Sequence, residues 1–316
     1  MTQKKHNLEV VDLKTRLDKF LAEQVEDLSR SKIQRDIEAG AVKVNKEKID
    51  SPKFVVRSGD KVEYKPIKEK EPGPVNLPLH ILHNQDGLLV LDKPAGLAVH
   101  PGAGLKEDSL SQALQFHYPE ISVVGEPDRP GIVHRLDKET SGIMAVALNQ
   151  EMYLYLKEAF AEHKIGKKYL ALVCGHIGED SGLIQSPVGK SQRDFRKYTT
   201  DTSDMVREKT AKTEYQVVER LVSKTLDEYT LIVVKLHTGR THQIRVHFNS
   251  LCHPLVGDSL YGGKQAQKLG FNRQALHAFE LEIPLPDGEL LSKQSKLPQD
   301  LRELLVKLNS QIVANY

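Results

Sequence analysis

His134, Arg135, Asp137, Lys138, Thr140 and Ser141 place an imidazole, a guanidinium, a carboxylate, an ammonium and two hydroxyls within nine residues. So dense a polar run resists burial as core. It reads as a turn between apolar segments: Ile132 and Val133 lead out of one short strand, and Ile143 to Leu148 form the next. Turns carried between strands are where catalytic and binding groups usually sit. The plainer reading of composition alone is a solvated turn with a local Arg135–Asp137 ion pair. An aspartate side chain is ionised at neutral pH unless buried without compensation, and a guanidinium within hydrogen-bond reach both favours that form and orients its oxygens.

A second concentration of polar groups runs from Thr238 to His247. Ile244, Phe248 and Leu251 recur at i, i+4, i+7, so a helix starts near Thr241, which serves as its N-cap. A helix N-terminus with Arg240 and Arg245 beside it forms an anion site. His242 and His247 are five residues apart and fall on different helix faces, which argues against a metal site. Lys93-Pro94-Ala95-Gly96 breaks a strand-like run, Leu88 to Leu91, with Pro94 and Gly96 fixing a turn and Lys93 able to lie beside the site. His100-Pro101-Gly102-Ala103-Gly104 lacks the Gly-Lys-Ser/Thr ending of a phosphate loop, and that reading is rejected.

His134-Arg135-Leu136-Asp137-x-x-Thr140-Ser141-Gly142 resembles the active-site signature of RNA pseudouridine synthases, in the family that modifies uridines of large-subunit ribosomal RNA. Lys93-Pro94-x-Gly96 resembles the first signature segment of that superfamily and Arg240 to Arg245 the third, and the His100–Gly104 string is common in its ribosomal-RNA branch. The resemblance implies that Asp137 is the catalytic residue, that Arg245 pairs with it, and that Arg240 supports the pair or contacts RNA. It also implies that Tyr169, in a Tyr-x-Ala-x-Val context, packs on the target base. From sequence alone Tyr169 would be core or edge packing. Arg135 would fill the position vacated by an extruded uridine, and His134, beside it, would contact substrate or only hydrogen-bond the turn. The implied reaction breaks the bond from uracil N1 to ribose C1′, turns the base and rejoins it through C5. Such an isomerisation needs no cofactor and no metal. Whether the carboxylate acts as nucleophile or base stays open.

These groups need elements to hold them. Met152, Leu156 and Phe160 mark one face of a helix from Gln150 to His163, and Lys167 to Val173 reads as a strand. Tyr229 to Leu236 is a strand with apolar residues on both faces, and Leu297 to Leu308 is an amphipathic helix. Residues 187–212 are polar and read as a surface loop whose Lys190, Arg193, Arg196 and Lys197 suit RNA phosphates.

Near the amino terminus, Leu17 and Leu21, then Ile33 and Ile37, give two short helices, the second capped by Ser29-Arg30-Ser31 and ended by Gly40. Strands Ala41–Val44 and Lys61–Tyr64 follow. The segment resembles the small RNA-binding module named after ribosomal protein S-four, with Lys46 where that module usually carries glycine. The resemblance implies phosphate contacts from Arg30, Lys32 and Arg35, cations on a helix face that set register without reading sequence. Residues 1–70 hold 17 Lys and Arg against 13 Asp and Glu, whereas the remainder hold 28 against 30, so the amino-terminal quarter is the basic part.

Prolines 66, 72, 74 and 78 among charged residues mark a linker. The expected organisation is an RNA-binding module over 14–66, a linker over 67–78 and a catalytic domain over 79–312. The fold class is α+β: a small α/β module plus, as the resemblance implies, a catalytic domain with a mixed, largely antiparallel sheet. No apolar run approaches a membrane span, the N-terminus has no apolar stretch behind its basic residues, and Cys174 and Cys252 fit no metal or redox spacing. The expectation is a cytoplasmic monomer acting on large-subunit ribosomal RNA or a pre-ribosomal particle. Competing readings are a synthase acting on transfer RNA, a binding-only ribosome protein, and a hydrolase pairing Asp137 with His134. The last lacks a serine elbow or zinc motif.

Overall fold

The computed structural model describes residues 5–11, 14–25, 28, 30–67, 73–101 and 108–312, so Ser29, the glycines of Gly102–Gly104 and residues 68–72 of the expected linker lie outside the described residues. The chain divides into two compact units, 1–71 and 72–316.

The first unit contains β1 (His6–Glu9), β2 (Lys14–Arg16), α1 (Leu17–Gln24), α2 (Arg30–Glu38), β3 (Val42–Val44), β4 (Glu47–Ile49), β5 (Val55–Arg57) and β6 (Lys61–Tyr64). A four-stranded sheet in the order β1-β6-β3-β4 packs the apolar stripes of both helices, with Leu17, Leu21, Ile33, Ile37, Val42 and Tyr64 fully buried. The β3–β4 turn places Asn45 and Lys46 at φ +51° and +73°. Both central residues of a two-residue type I′ hairpin need positive φ, which is why glycine is the usual occupant of the second position.

The second unit begins with β7 (His80–Gln85), β8 (Leu88–Lys93), α3 (Leu110–His117), β9 (Ser141–Ala147), α4 (Gln150–Ala161) and β10 (Gly166–Cys174). It continues with β11 (Ser181–Gln185), β12 (Val188–Ser191), β13 (Tyr198–Thr199), β14 (Met205–Lys209), β15 (Lys212–Val222) and β16 (Glu228–Leu236). Its last elements are α5 (Gln243–Ser250), α6 (Gly263–Ala266), β17 (Leu276–Pro284), β18 (Leu290–Gln294) and α7 (Gln299–Lys307). Eight strands run in the order β11-β15-β16-β10-β17-β9-β8-β7, with β18 paired to β17. Every pairing is antiparallel except β9 with β17, so the sheet is mixed and largely antiparallel.

Both faces of this sheet are covered. Along β10, Tyr169, Ala171 and Val173 join one core, with Leu114 of α3, Leu156 of α4 and Phe248 of α5. Leu170, Leu172 and Cys174 join the other, with Leu301, Leu304 and Leu305 of α7. Strands sandwiched this way read as continuous apolar runs, which explains the composition of β8, β9 and β16. No described helix is long and apolar enough to cross a membrane.

Three local expectations need correction. Ile132 makes only an isolated bridge to Val146, so the Asp137 loop leaves no strand behind it. Residues 187–212 are not a plain loop: β12, β13 and β14 form a separate three-stranded sheet. The cap of α5 is His242 rather than Thr241, in the left-handed region at φ +57°. Gln243 explains the shift, because its Oε1 accepts from the Arg240 N–H and the Thr238 hydroxyl and folds the chain tightly ahead of the helix.

Candidate active site

Arg245, on the first turn of α5, is the hub of the site. Its Nε and Nη2 donate to the two oxygens of Asp258 at 2.7 and 2.9 Å, and its Nη1 donates to Oδ2 of Asp137 at 3.0 Å. Asp258 is fully buried and held in turn by the backbone N–H groups of Leu260 and Tyr261. The Tyr261 ring lies 5.0 Å from the Arg245 guanidinium. Burial opposes the charge on Arg245, but the hydrogen bonds and negative charge of Asp258, with that of Asp137, prevail and raise its pKa. A bidentate pair fixes the plane of a guanidinium. Arg245 therefore presents one defined edge to Asp137.

The loop that carries Asp137 is fixed from several sides. Lys93, wholly buried, donates to the carbonyls of Pro94, Leu97 and Lys138 at 2.8, 2.8 and 3.0 Å. Burial lowers its pKa to about 8, still above neutrality. Arg273 donates to the Glu139 carbonyl at 3.1 Å and forms a two-pronged pair with Asp300 of α7. Gln274 reaches the Thr140 hydroxyl and His277 the Ser141 hydroxyl. Gly142 then enters β9 at φ +121°, where a Cβ would stand 2.1 Å from the Ala278 carbonyl oxygen.

Asp137, Arg245, Tyr169, Arg135, His134 and Arg240 all line one cleft of about 560 Å³, a size suited to a small ligand or a single nucleoside. Tyr169 is buried, and burial together with the Asp137 charge raises its pKa, so it stays a neutral phenol. Asp137 Oδ1 accepts no hydrogen bond from a described residue; His242 Nε2 is 3.8 Å away. The other nitrogen of His242 contacts the Tyr261 hydroxyl at 2.8 Å, and that hydroxyl accepts from the Tyr198 N–H.

His134 is turned inward. Its Nε2 accepts from the Ala145 N–H at 2.9 Å, and its ring stacks on Phe160 at 4.5 Å. Burial, aided by the charge on Lys167, lowers its pKa to about 3, so it is a neutral acceptor that braces β9. Arg135 is exposed and has no hydrogen-bond or ion-pair partner among the described residues. Arg240 donates from Nε to the Thr210 carbonyl at 3.0 Å.

In the first unit, Arg30 donates from Nε and Nη2 to Asp18 at 3.0 and 2.7 Å, and Arg16 and Gln34 bind the same carboxylate. Burial alone would raise the Asp18 pKa, but Arg30, Gln34 and Arg16 bring it down to about 2. Lys32 pairs with Asp36 and donates to the Ile67 carbonyl. Arg35 lies on the last turn of α2.

The sequence alone gives no chemical role to Asp258, Tyr261 or Arg273, whereas Lys93, expected beside the site, lies under the Asp137 loop and holds its Lys138 carbonyl. The available signal for Asp258 and Tyr261 is that Gly257-Asp258-Ser259-Leu260-Tyr261-Gly262 resembles a segment of the same family, one without an obvious chemical role. Among the described residues, no three His, Cys, Asp or Glu side chains gather as metal ligands.

Residues 87–250 match the family of RNA pseudouridylate synthases, and residues 15–62 match the S4 domain. An uncharacterized RNA pseudouridine synthase of Aquifex aeolicus is 41% identical over 254 residues, covering 79% of this chain and 78% of that one. Ribosomal large subunit pseudouridine synthase D of Haemophilus ducreyi is 37% identical, covering 93% of this chain and 91% of that protein. Among solved structures, human RNA pseudouridylate synthase domain containing 1 superposes with a TM-score of 0.59 at 30% identity, covering 72% of this chain and 87% of that one.

Proposed function

The chain belongs to the RNA pseudouridylate synthase family, and from that premise we propose that it isomerises particular uridines of large-subunit ribosomal RNA, with Asp137 as the catalytic carboxylate. The observation that carries the proposal is the asymmetry of Asp137: Oδ2 is held by Arg245, while Oδ1 is left facing the cleft without a described donor. A carboxylate held this way is oriented for attack at ribose C1′ or for removal of the proton at C2′. Arg245 counters the loss of solvation that a stacked base would impose on it.

The target uridine must leave its stack to reach this position, at a cost on the order of a few kcal/mol. Arg135 has the exposure and the flat charged group to occupy the space left behind, and Tyr169 gives the extruded uracil an aromatic face. His134 keeps β9 in place and stays neutral. Arg240 meets the backbone of the RNA. In this reading residues 14–66 form the RNA-binding module, 67–78 the linker and 79–312 the catalytic domain of a cytoplasmic monomer. Arg30, Lys32 and Arg35 contact phosphates there, the first two while keeping their carboxylate partners.

The test uses unmodified large-subunit ribosomal RNA tritiated at uridine C5, since isomerisation expels that hydrogen. The wild type is expected to release tritium, and Asp137→Asn to bind the RNA with release at background. Equal release by both proteins would remove Asp137 from the chemistry. Release from transfer RNA alone would move the substrate class.

A further inference from the structure

Lys167 is the anomaly of the cleft. It is 9% exposed and lines the cleft together with Tyr169, yet its ammonium has no hydrogen-bond or ion-pair partner among the described residues. It faces the ring of Phe160 at 5.5 Å. Burial lowers its pKa, and the next influence on it is another cation, Arg240. Arg240 commits only Nε, to the Thr210 carbonyl, and its Nη1 and Nη2 have no described partner. A buried ammonium without an anion is costly and is ordinarily neutralised or paired.

Gly239 stands over the same point. A Cβ there would lie 3.8 Å from Lys167 Nζ, so any longer side chain would cover the ammonium. Gly239 is not among the positive-φ glycines, so its backbone has no need of glycine. The missing side chain keeps open the approach to Lys167.

Resting on the RNA reading above, we infer that Lys167 and Arg240, beneath Gly239, form a subsite for a phosphate of the extruded nucleotide. Two neighbouring cations call for a full negative charge. A uracil carbonyl, which is neutral, would offset neither. The cleft then grips the target nucleotide at its backbone as well as at its base and ribose, and a free uridine lacks the group this subsite takes. The lysine is too enclosed to meet a phosphate that stays outside the cleft.

The experiment measures binding of the full-length wild type, Lys167→Met and Arg240→Gln to an unmodified large-subunit ribosomal RNA transcript across a potassium chloride series, with melting temperatures of the free proteins. Each lost contact to a single-stranded phosphate flattens the plot of log affinity against log salt by about 0.7. Both variants are expected to show that flattening. Lys167→Met is also expected to melt higher by roughly 2–4 °C, because it removes an unpaired buried charge. Lys167→Gln serves if the methionine variant does not fold.

A wild-type slope in the Lys167 variants overturns the proposal. If tritium release then survives, Lys167 touches no substrate; if release is lost, it contacts the base instead. Wild-type tritium release from the same transcript separates the two levels. Release with an unchanged slope defeats the phosphate subsite alone, whereas no release by the wild type from any RNA defeats the reading beneath it as well.

Discussion

A guanidinium that commits Nε and Nη2 to Asp258 can turn only its remaining edge toward Asp137. Asp137 and Asp258 are therefore bound to one arginine but answer differently to mutation. Asp137 is partly exposed, and Asp137→Asn leaves Arg245 its buried partner, so folding should be little affected. Asp258 is fully buried and accepts two backbone N–H bonds besides the arginine. Asp258→Asn leaves a buried cation short of its main partner, and breaking such a pair costs about 3–5 kcal/mol. Thermal denaturation should show that loss, with tritium release falling as Arg245 loses its fixed plane. A melting temperature equal to the wild type's would mean that Arg245 finds another anchor. At this scale the sequence displayed Asp137 and Arg135 because they share a short motif. Asp258 and Arg273 were not legible, since their importance lies in partners, Arg245 for the one and the Glu139 carbonyl and Asp300 for the other, that the folded chain brings near.

The elements divide by how much of their identity is local. β10 and β16 were legible because both their faces are apolar, and α4 because Met152, Leu156 and Phe160 mark one of its faces; Asn149, whose side chain accepts from the Met152 N–H, caps it. β12 to β14 were hidden: in Val188–Ser191 only Val188 is apolar, and the small sheet is pinned by Asp204, which binds Ser191 and the N–H groups of Gln192 and Arg193. The parallel pairing of β9 with β17 was also invisible, because nothing near Ser141 announces His277 as its neighbour. That pairing demands glycine at 142. Gly142→Ala should destabilise the protein by more than about 1 kcal/mol, given a positive φ and a backbone oxygen where the Cβ would go. Denaturant unfolding measures it. The folded fraction should also release tritium more slowly, since Asp137 lies five residues upstream. Unchanged stability would show that the β9–β17 junction relaxes freely.

Over the whole molecule, each of the two units has its own apolar core. Removal of residues 1–72 should leave the larger unit folded. The deleted part is the basic quarter, so RNA binding should weaken and lose part of its salt dependence. Turnover at saturating RNA should stay within about threefold of the full chain if the first unit only adds phosphate contacts. A turnover loss that more RNA does not restore would give the first unit a part in assembling the cleft.

The β9–β17 junction also sets a clock for synthesis. Asp137 leaves the ribosome long before Ala278, the residue that lies beside Gly142 in the finished sheet. At ordinary elongation rates of about 5–20 residues per second the gap is roughly 7–28 seconds. Throughout that interval the nascent chain carries its carboxylate but has no central strand to seat it against. The β9–β17 junction that fixes the Asp137 loop forms only once β17 closes the sheet.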